Sequence, residues 1–308
     1  MYVNYKFRKA SIFMKKNDSN KSENSFSSSS INWYPGHMAK TKREIQENIK
    51  IIDIVYEVLD ARTPYSSKIN DFDEIIKNKP RVIIMAKKDL CDLDITKKWI
   101  NYYEKQNHKV LLMDLHNNKD YKELVNITKE ILKEKQEKRL LSGLKKKEIK
   151  AVVMGIPNVG KSTLINQMVG KKVAKVGNIP GITTHLNWLK TKTNILILDT
   201  PGILMPKLTD NNVALNLAST GAIKSEVLDV NDIGSYLVCF YKNYYPQILK
   251  EVYKVEIQDD VIDIMASIAL KMGFIKNNDF DPEKVSKCLY NDVINGKIKG
   301  VTFDPWIY

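Results

Sequence analysis

The stretch from Gly155 to Thr163, GIPNVGKST, constrains the fold of this 308-residue chain more than any other. An apolar run, AVVM, stands before it, and a run with helical periodicity, LINQMV, stands after it. The glycines at 155 and 160 let the backbone curl so that consecutive amides can surround an anion, and the following helix adds its positive N-terminal end. A strand, a loop of this kind and a helix in this order predict a phosphate-binding loop at the edge of an α/β sheet.

A second motif, ILILDTPG, follows further along the chain and ends at Gly202. Its apolar part predicts a buried strand that ends in Asp199, a carboxylate suited to the coordination shell of Mg²⁺. The amide of Gly202 then lies where it can detect a γ-phosphate. In the loop between the two motifs, residues 177–185, Thr183 is a candidate second Mg²⁺ ligand, although a loop threonine is more often only a turn residue. Together the two motifs indicate a nucleotide-dependent switch.

The tetrapeptide AKKD, residues 86–89, ends another apolar run, VIIM. The carboxylate of Asp89 can accept hydrogen bonds from both N1–H and the 2-amino group of guanine, a donor pair that adenine lacks. The stem of Lys87 can cover the face of the base. Taken alone, the tetrapeptide is better explained as a strand end followed by solvated charges. It also precedes the phosphate loop, and Ala86 stands where a guanine-reading loop is expected to carry Asn.

The charge balance of the chain points to a polyanionic partner. The chain has 49 Lys and Arg against 36 Asp and Glu, with a formal net charge of +13 and a pI near 9.3. This favours nucleic acid ahead of a membrane surface; the alternative is a proteome generally rich in Lys, Asn and Ile. The three cysteines have neither metal-ligand spacing nor an even disulfide set, which favours a reducing compartment. No apolar run reaches the roughly 18 residues needed to span a bilayer.

The order of polar and apolar segments predicts three regions. Residues 1–30 are polar and low in complexity, which predicts disorder; their basic, Ser-containing start suits an organellar transit peptide, a plain extension or a start codon assigned too early. Residues 31–210 alternate helical and strand-like segments, which predicts an α/β domain with a doubly wound, mostly parallel sheet. Residues 211–308 have the pattern of amphipathic helices, which predicts a small all-helical domain.

The same patterns predict individual elements. Strands are expected at 52–60, 82–86, 109–114, 151–155 and 194–199, and none beyond about residue 205. In the first domain, helices are expected at 39–52, 71–78, 95–106, 120–139 and 161–170, with a basic connector over 138–150. In the second domain, helices are expected at 213–223, 245–253, 259–273 and 282–296, with Gly273 and Gly296 as helix stops.

Six segments occur in an order that resembles a known family. They are INWYPGHMAKTKREI, DIVYEVLDARTPYSS, KKDL, GIPNVGKSTLIN, PGITT and LDTPGIL. In this order the chain resembles the circularly permuted GTPases of the ribosome biogenesis GTPase A family. The resemblance implies a P-loop GTPase domain whose guanine-reading part precedes the phosphate loop, followed by a helical, RNA-binding domain. It also implies GTP hydrolysis coupled to maturation of the large ribosomal subunit.

The resemblance implies roles for individual residues. Nucleotide binding is expected at Lys87, Asp89, Asn158, Val159, Gly160, Lys161, Ser162, Thr163 and Gly202, with Gly155 opening the phosphate loop. Metal binding is expected at Ser162, Thr183 and Asp199 for Mg²⁺ and at Asn158 for an activating K⁺. Catalytic roles are expected for Lys161, Thr183 and His37. Architectural roles are expected for Asp60, Arg62 and Pro64, which match the family's Asp-Ala-Arg-x-Pro element.

His37 needs a separate argument. Ile203 follows Asp-Thr-Pro-Gly, where many GTPases carry the Gln that orients the attacking water, and an isoleucine cannot do so. In the family this role is proposed for the His of PGHM, which is His37 here. Taken alone, a His between Gly and Met is more often structural.

Two departures from the family pattern concern the base pocket. Ala86 replaces the Asn whose amide ties the guanine loop to the phosphate loop. No Ser-Ala-like stretch follows the strand KVLLM, so one backbone contact to guanine O6 has no assigned residue. Losing one side-chain hydrogen bond costs about 1–3 kcal/mol, which predicts a loosened base pocket and not an abolished one.

The predicted function is that of a GTP-hydrolysing assembly factor for the large ribosomal subunit. The protein is expected to bind the subunit precursor and its rRNA with GTP, partly through Lys40, Lys42 and Arg43, and to leave after hydrolysis, which the subunit is expected to stimulate. It is expected to be a monomer away from the ribosome, in the cytoplasm or, if residues 1–30 are a transit peptide, in an organelle matrix. Two alternatives stay open: an NTPase of relaxed specificity, and a nucleotide-regulated RNA-binding scaffold with little turnover.

Overall fold

The computed structural model describes most of the chain. The described ranges are 31–32, 43–69, 71–76, 79–145, 147–174, 187–202, 207–208, 210–223, 228–276 and 279–306. The predictions made for residues 1–30, for His37, for Lys40 and Lys42, and for Thr183 with its loop lie outside these ranges.

A six-stranded sheet forms the centre of the described structure. The strands in chain order are β1 (Ile31–Asn32), β2 (Ile54–Asp60), β3 (Arg81–Ala86), β4 (Lys109–Leu112), β5 (Ile149–Met154), β6 (Asn187–Lys190), β7 (Ile195–Asp199) and β8 (Lys207–Leu208). The sheet has the spatial order β4-β3-β2-β5-β7-β6. Neighbouring strands in this sheet are parallel, except that the edge strand β6 runs antiparallel to β7. Strands β1 and β8 form a separate antiparallel pair.

The central strands are apolar at nearly every position because both faces of the sheet are covered. In β3, Val82 and Ile84 pack into the core on one face. Ile83 and Met85 pack on the other face, against Trp99. The prediction of a doubly wound, mostly parallel sheet is therefore confirmed.

Helices connect and cover the strands. They are α1 (residues 43–48, continued by a 3-10 turn at Ile49–Ile51), α2 (Asp71–Ile76), α3 (Leu93–Lys105), α4 (Asn118–Ile131), α5 (Lys133–Leu141), α6 (Lys161–Val169), α7 (Asn211–Ser219), α8 (Val230–Tyr244), α9 (Pro246–Glu251), α10 (Val261–Met272) and α11 (Pro282–Ile294). Gly273, with φ +72°, ends α10 as predicted, and Gly296, with φ +70°, follows α11. Among the described residues, no helix is both long and apolar enough to cross a membrane.

One predicted helix is divided in two. The charged segment 120–139 contributes to both α4 and α5, because Leu132 leaves helical geometry (φ −97°, ψ 5°) and buries its side chain. Helix α5, which is described in full, buries no residue of its own, so no packing holds it in line with α4. The basic connector predicted at 138–150 is accordingly shorter, since α5 extends to Leu141 and β5 begins at Ile149.

The region after β8 is mainly helical. Helix α8 was not among the predicted helices, although Ile233, Leu237 and Tyr241 form a buried stripe at helical spacing that was the available signal. Helices α7, α9, α10 and α11 pack around it. Strands β9 (Ile275–Lys276) and β10 (Asp279–Phe280) form a short ribbon, so the prediction that strands end near residue 205 is wrong. The domain boundary at residue 210 stays a prediction.

The C-terminal tail, residues 297–306, turns back towards the sheet. Within it, Val301, Thr302 and Phe303 are almost fully buried. The Phe303 amide donates to the Arg62 carbonyl at 2.6 Å. The Trp99 indole N–H donates to the Asp304 carbonyl at 2.9 Å. Residues 301–304 of the tail are therefore part of the core.

Candidate nucleotide-binding site

The strand order creates a crevice at one edge of the sheet. On one side of the sheet the chain moves outward from β2 to β3 and β4. On the other side it passes from β5 to the edge strand β6 and returns to β7, which lies beside β5. The strand order therefore reverses between β2 and β5. Open α/β sheets bind ligands at the carboxyl ends of the strands beside such a reversal. Asp60 pairs with Ala86 there, and Val153 pairs with Asp199. The register thus brings the predicted guanine loop, phosphate loop and metal ligand to one edge.

The phosphate loop between β5 and α6 needs glycine at its turning points. Gly155 has φ +154°, and a Cβ on it would lie 2.4 Å from the Val58 carbonyl oxygen. Gly160, with φ +109°, directly precedes α6. A side chain at residue 155 would therefore collide with the backbone of β2, and only glycine allows the loop to leave the sheet at this point.

Lys161 and Asp199 form the charged centre of the crevice. Lys161 is buried, and its Nζ donates to the Ile156 carbonyl at 2.7 Å. Burial lowers the pKa of Lys161 to about 8, with Asp199 opposing the shift. Burial raises the pKa of Asp199 to about 6, with Lys161 opposing that shift. Burial therefore disfavours the charged forms of both Lys161 and Asp199. A bound polyanion would stabilise the Lys161 ammonium, and a bound cation would stabilise the Asp199 carboxylate.

Asp199 has a feature expected of a metal ligand. Its Oδ1 is buried and has no hydrogen-bond partner among the described residues. Ser162, in the first turn of α6, is partly buried beside Lys161. Within the described ranges, no group of three or more His, Cys, Asp or Glu side chains could hold a metal. One carboxylate and one hydroxyl fit Mg²⁺, which takes its other ligands from water and substrate phosphates.

Gly202 lies against the phosphate loop. A Cβ on Gly202 would be 2.8 Å from the Pro157 nitrogen and 2.9 Å from its Cα. The preceding segment is held by the buried hydroxyl of Thr200, which donates to the Val153 carbonyl at 2.7 Å. The residue predicted to detect the γ-phosphate thus contacts the loop predicted to bind the phosphates.

Lys87 and Asp89 lie on the turn after β3, which we call the guanine loop (residues 86–90). The Nζ of Lys87 is 2.8 Å from Asp60 Oδ2. Arg62 binds the same carboxylate through Nε, at 3.1 Å, and through Nη2, at 2.8 Å. Burial alone would raise the pKa of Asp60, but the Arg62 and Lys87 cations outweigh it and hold this pKa below its ordinary value. Asp89 is exposed, so its carboxylate can reach a ligand.

Ala86 is fully buried beside the phosphate loop. A Cβ on Gly160 would lie 2.7 Å from Leu115 Cδ1 and 3.5 Å from the Ala86 Cβ. Ala86 therefore packs beside Gly160, in one apolar cluster with Leu115 and Val159. An Asn at residue 86 would instead connect the guanine loop to the phosphate loop by a hydrogen bond. This packing limits the loosening expected from the missing amide.

The turn after β4 offers a donor that the sequence reasoning missed. The Asp114 carboxylate accepts the His116 amide at 2.9 Å, and the Asp114 amide donates to Asp120 Oδ2 at 2.8 Å. The Asn117 amide donates to the Asp114 carbonyl at 2.9 Å. The Leu115 amide has no acceptor in the described part of the chain. It is therefore the candidate donor to guanine O6, and the turn-forming residues of DLHNNKD were the available signal.

The remaining phosphate-loop residues complete the site. Val159 is buried and Thr163 partly buried. Asn158 Nδ2 donates to the Gly221 carbonyl at 2.5 Å, so a potassium ion at this residue would use the amide oxygen. Gly221 lies between α7 and α8, and the contact thus joins the phosphate loop to the helical region. His37 and Thr183 lie outside the described residues, and their roles stay predictions.

Comparisons with known proteins find similar chains and a similar fold. A family model described as 50S ribosome-binding GTPase matches residues 150–265. A Priestia megaterium protein named Ribosome biogenesis GTPase A is 42% identical over 277 residues, 89% of this chain and 96% of that protein. An Arabidopsis thaliana protein, Short integuments 2, mitochondrial, is 34% identical over 68% of this chain and 55% of its own length. The crystal structure of GNP-bound YlqF from T. maritima aligns with a TM-score of 0.59 at 25% identity, over 86% of this chain and 98% of that one.

Proposed function

The chain belongs to the ribosome biogenesis GTPase A family, and from this premise we propose that it assembles the large ribosomal subunit, binding the subunit precursor and its rRNA in the GTP state and leaving after hydrolysis. The chain is a GTPase of ribosome assembly. The observation that carries the finer proposal is the hydrogen bond from Asn158 to the Gly221 carbonyl. A change in the phosphate loop reaches the helical region directly through this bond.

The phosphate side of the site binds and polarises the triphosphate. Lys161 binds β- and γ-phosphate oxygens, and the amides of the loop from Asn158 to Thr163 surround them. Ser162 and Asp199 would hold Mg²⁺, together with Thr183 by family resemblance. When bound, Mg²⁺ would supply positive charge that offsets the negative charge of the phosphates. His37 orients the attacking water, and a K⁺ at Asn158 activates the site; both roles follow from the family resemblance.

The base side of the site selects guanine. The Asp89 carboxylate accepts N1–H and the 2-amino group, and the Lys87 stem covers the base. The Leu115 amide donates to O6, because it faces no acceptor among the described residues. An adenine would present the wrong donors and acceptors to these groups and would leave them unpaired.

The basic surface is the proposed contact with rRNA. The net charge of the chain is +13. Helix α5 packs no residue into the core and presents Lys133 and Lys135, whose side chains are 70% and 63% exposed. Lys133 lies 3.9 Å from Glu137 and Lys135 lies 2.7 Å from Asp53, so a phosphate at these lysines would compete with a carboxylate. Lys145 and Lys147 follow on the exposed connector. If such residues bind phosphates, the affinity for rRNA should fall steeply as salt rises, because bound counterions are released on association.

Phosphate release in K⁺ or Na⁺ buffer, with and without purified large subunits, tests the proposal. Faster turnover with subunits and with K⁺ is expected. No stimulation, together with RNA binding that is the same with GTP, GDP or no nucleotide, would identify a scaffold instead.

Ala86 favours a second candidate function, an NTPase of relaxed base specificity. Competition of labelled GTP by ATP and by xanthosine triphosphate distinguishes it. If ATP displaces labelled GTP as well as unlabelled GTP does, the protein is an NTPase of relaxed base specificity and not a guanine-specific GTPase.

A further inference from the structure

The C-terminal tail contacts the guanine loop directly. The amides of Gly300 and Val301 donate to the Leu90 carbonyl at 2.9 and 3.2 Å. The Leu90 amide in turn donates to the Lys87 carbonyl at 3.0 Å, which closes the loop. The segment that carries the two guanine-reading side chains is thus held at its end by Gly300 and Val301 of the tail.

Thr302 extends this contact to the start of α3. Its hydroxyl accepts the Asp92 amide at 3.1 Å and lies 3.1 Å from the Thr96 hydroxyl, and its side chain is fully buried. The hydroxyl of Tyr245 donates to Asp92 Oδ2 at 3.1 Å and accepts the Thr302 amide at 3.2 Å. Asp92 caps α3 through the amides of Asp94 and Ile95. The tail therefore fixes the chain between the guanine loop and the helix that follows it.

We propose that the C-terminal tail is a positioning element of the guanine site, with Thr302 as its main side-chain contact. A carboxylate that accepts two donors from one base edge must be held within about 0.5 Å of the productive geometry. Other contacts hold the start and middle of the loop: the Ala61 amide donates to the Ala86 carbonyl at 2.8 Å, and the Lys88 amide donates to the Met113 carbonyl at 3.3 Å. The ammonium groups of Lys87 and Lys88 lie 2.8 Å from Asp60 and 4.0 Å from Asp120, respectively. The tail supplies the restraint at the other end, because its amides bind the Leu90 carbonyl. The inference rests on the proposed assignment of Asp89 to guanine.

Thr302→Val tests the inference, because it keeps the shape of the side chain and removes the hydroxyl. The dissociation constants of GDP and of inosine diphosphate, which lacks the 2-amino group, are measured for each variant. Thr302→Val should raise the value for GDP by about 3- to 10-fold, the size of one net hydrogen bond, and lower the preference for GDP over inosine diphosphate. Thr302→Ser, which keeps the hydroxyl, should restore both.

Thr128→Val is the matched control. Thr128 is as fully buried as Thr302, and its hydroxyl is bonded to Tyr56 and to the Leu124 carbonyl on α4, away from the guanine loop. The Thr128→Val substitution should lower thermal stability and leave the preference for GDP over inosine diphosphate unchanged. If Thr302→Val does not fold, Tyr245→Phe removes the neighbouring tail contacts and should lower the preference in the same direction.

Asp89→Asn separates this inference from the proposed function. It should shift the preference from GDP towards xanthosine diphosphate, because an amide donates where the carboxylate accepted. If the preference does not shift, the assignment of the guanine loop is wrong and the inference falls with it. If Asp89→Asn shifts the preference towards xanthosine diphosphate while Thr302→Val and Tyr245→Phe keep the wild-type preference for GDP over inosine diphosphate, the assignment of Asp89 stands. In that case only the proposed role of the tail is wrong.

Discussion

Asp60→Asn should destabilise the protein strongly, because it removes the negative charge between two cations in the core. The Asp60 side chain is 3% exposed, and Arg62 and Lys87 each lie 2.8 Å from its Oδ2. Removing one partner of a buried ion pair costs about 3–5 kcal/mol. Each kcal/mol lowers the Tm of a domain of this size by about 2–4 °C, so a fall of roughly 6–20 °C is expected. Lys87 is 23% exposed and keeps some water, which favours the lower half of this range.

Thermal unfolding followed by circular dichroism, without nucleotide, measures the effect. Asp94→Asn is the control, because Asp94 pairs with Lys97 at the surface, with side chains 89% and 65% exposed. Such a pair contributes about 0–1 kcal/mol, so the control should melt close to wild type.

The pH dependence gives a second check on Asp60. Its folded-state pKa lies below the ordinary value, so its charge stabilises the fold above the unfolded-state pKa of about 3.9. That contribution is lost as the pH falls from there towards the folded-state pKa. The difference between wild type and Asp60→Asn should therefore be constant near neutral pH and shrink below about pH 4. Equal melting of the two proteins at neutral pH, or a difference that grows on acidification, would refute the reasoning.

Three further predictions concern the nucleotide. Lys161→Ala should abolish nucleotide binding, because it removes the buried ammonium from the phosphate loop; near-normal binding of a fluorescent GDP analogue would contradict this. Gly202→Ala should weaken GTP binding more than GDP binding, because its methyl would lie 2.8 Å from the Pro157 nitrogen and displace the γ-phosphate contact; equal losses for both nucleotides would argue against that contact. His37→Ala should slow single-turnover hydrolysis and leave the GTP dissociation constant unchanged; normal hydrolysis would remove His37 from the mechanism.

Those parts of the candidate site that are continuous in sequence could be predicted. Gly155 and Gly160 are required by the backbone of the loop itself, and Asp199 ends an apolar run long enough to be a buried strand. The parallel sheet follows from strands that are apolar on both faces. These features depend on neighbours in the chain, so local patterns were sufficient.

Features that depend on distant segments could not be predicted. The helix break at Leu132 depends on the core below it, and no local breaker marks it. The Leu115 amide has no acceptor among the described residues, and this becomes visible only when the partners of its neighbours are known. Asp60 matched a family element in the sequence, but its ion pair with Lys87 joins two strands and leaves no local pattern.

The contacts of the C-terminal tail have a consequence for the order of folding. Every strand of the central sheet lies between residues 54 and 199. The groups that hold Leu90 and Asp92 come from residues 300–302, and Asp92 and Thr302 are 210 residues apart in the chain. Contacts between such distant residues form late, because a long loop must close before they are made. The turn after β3 should therefore become fixed only after the sheet that carries it has formed.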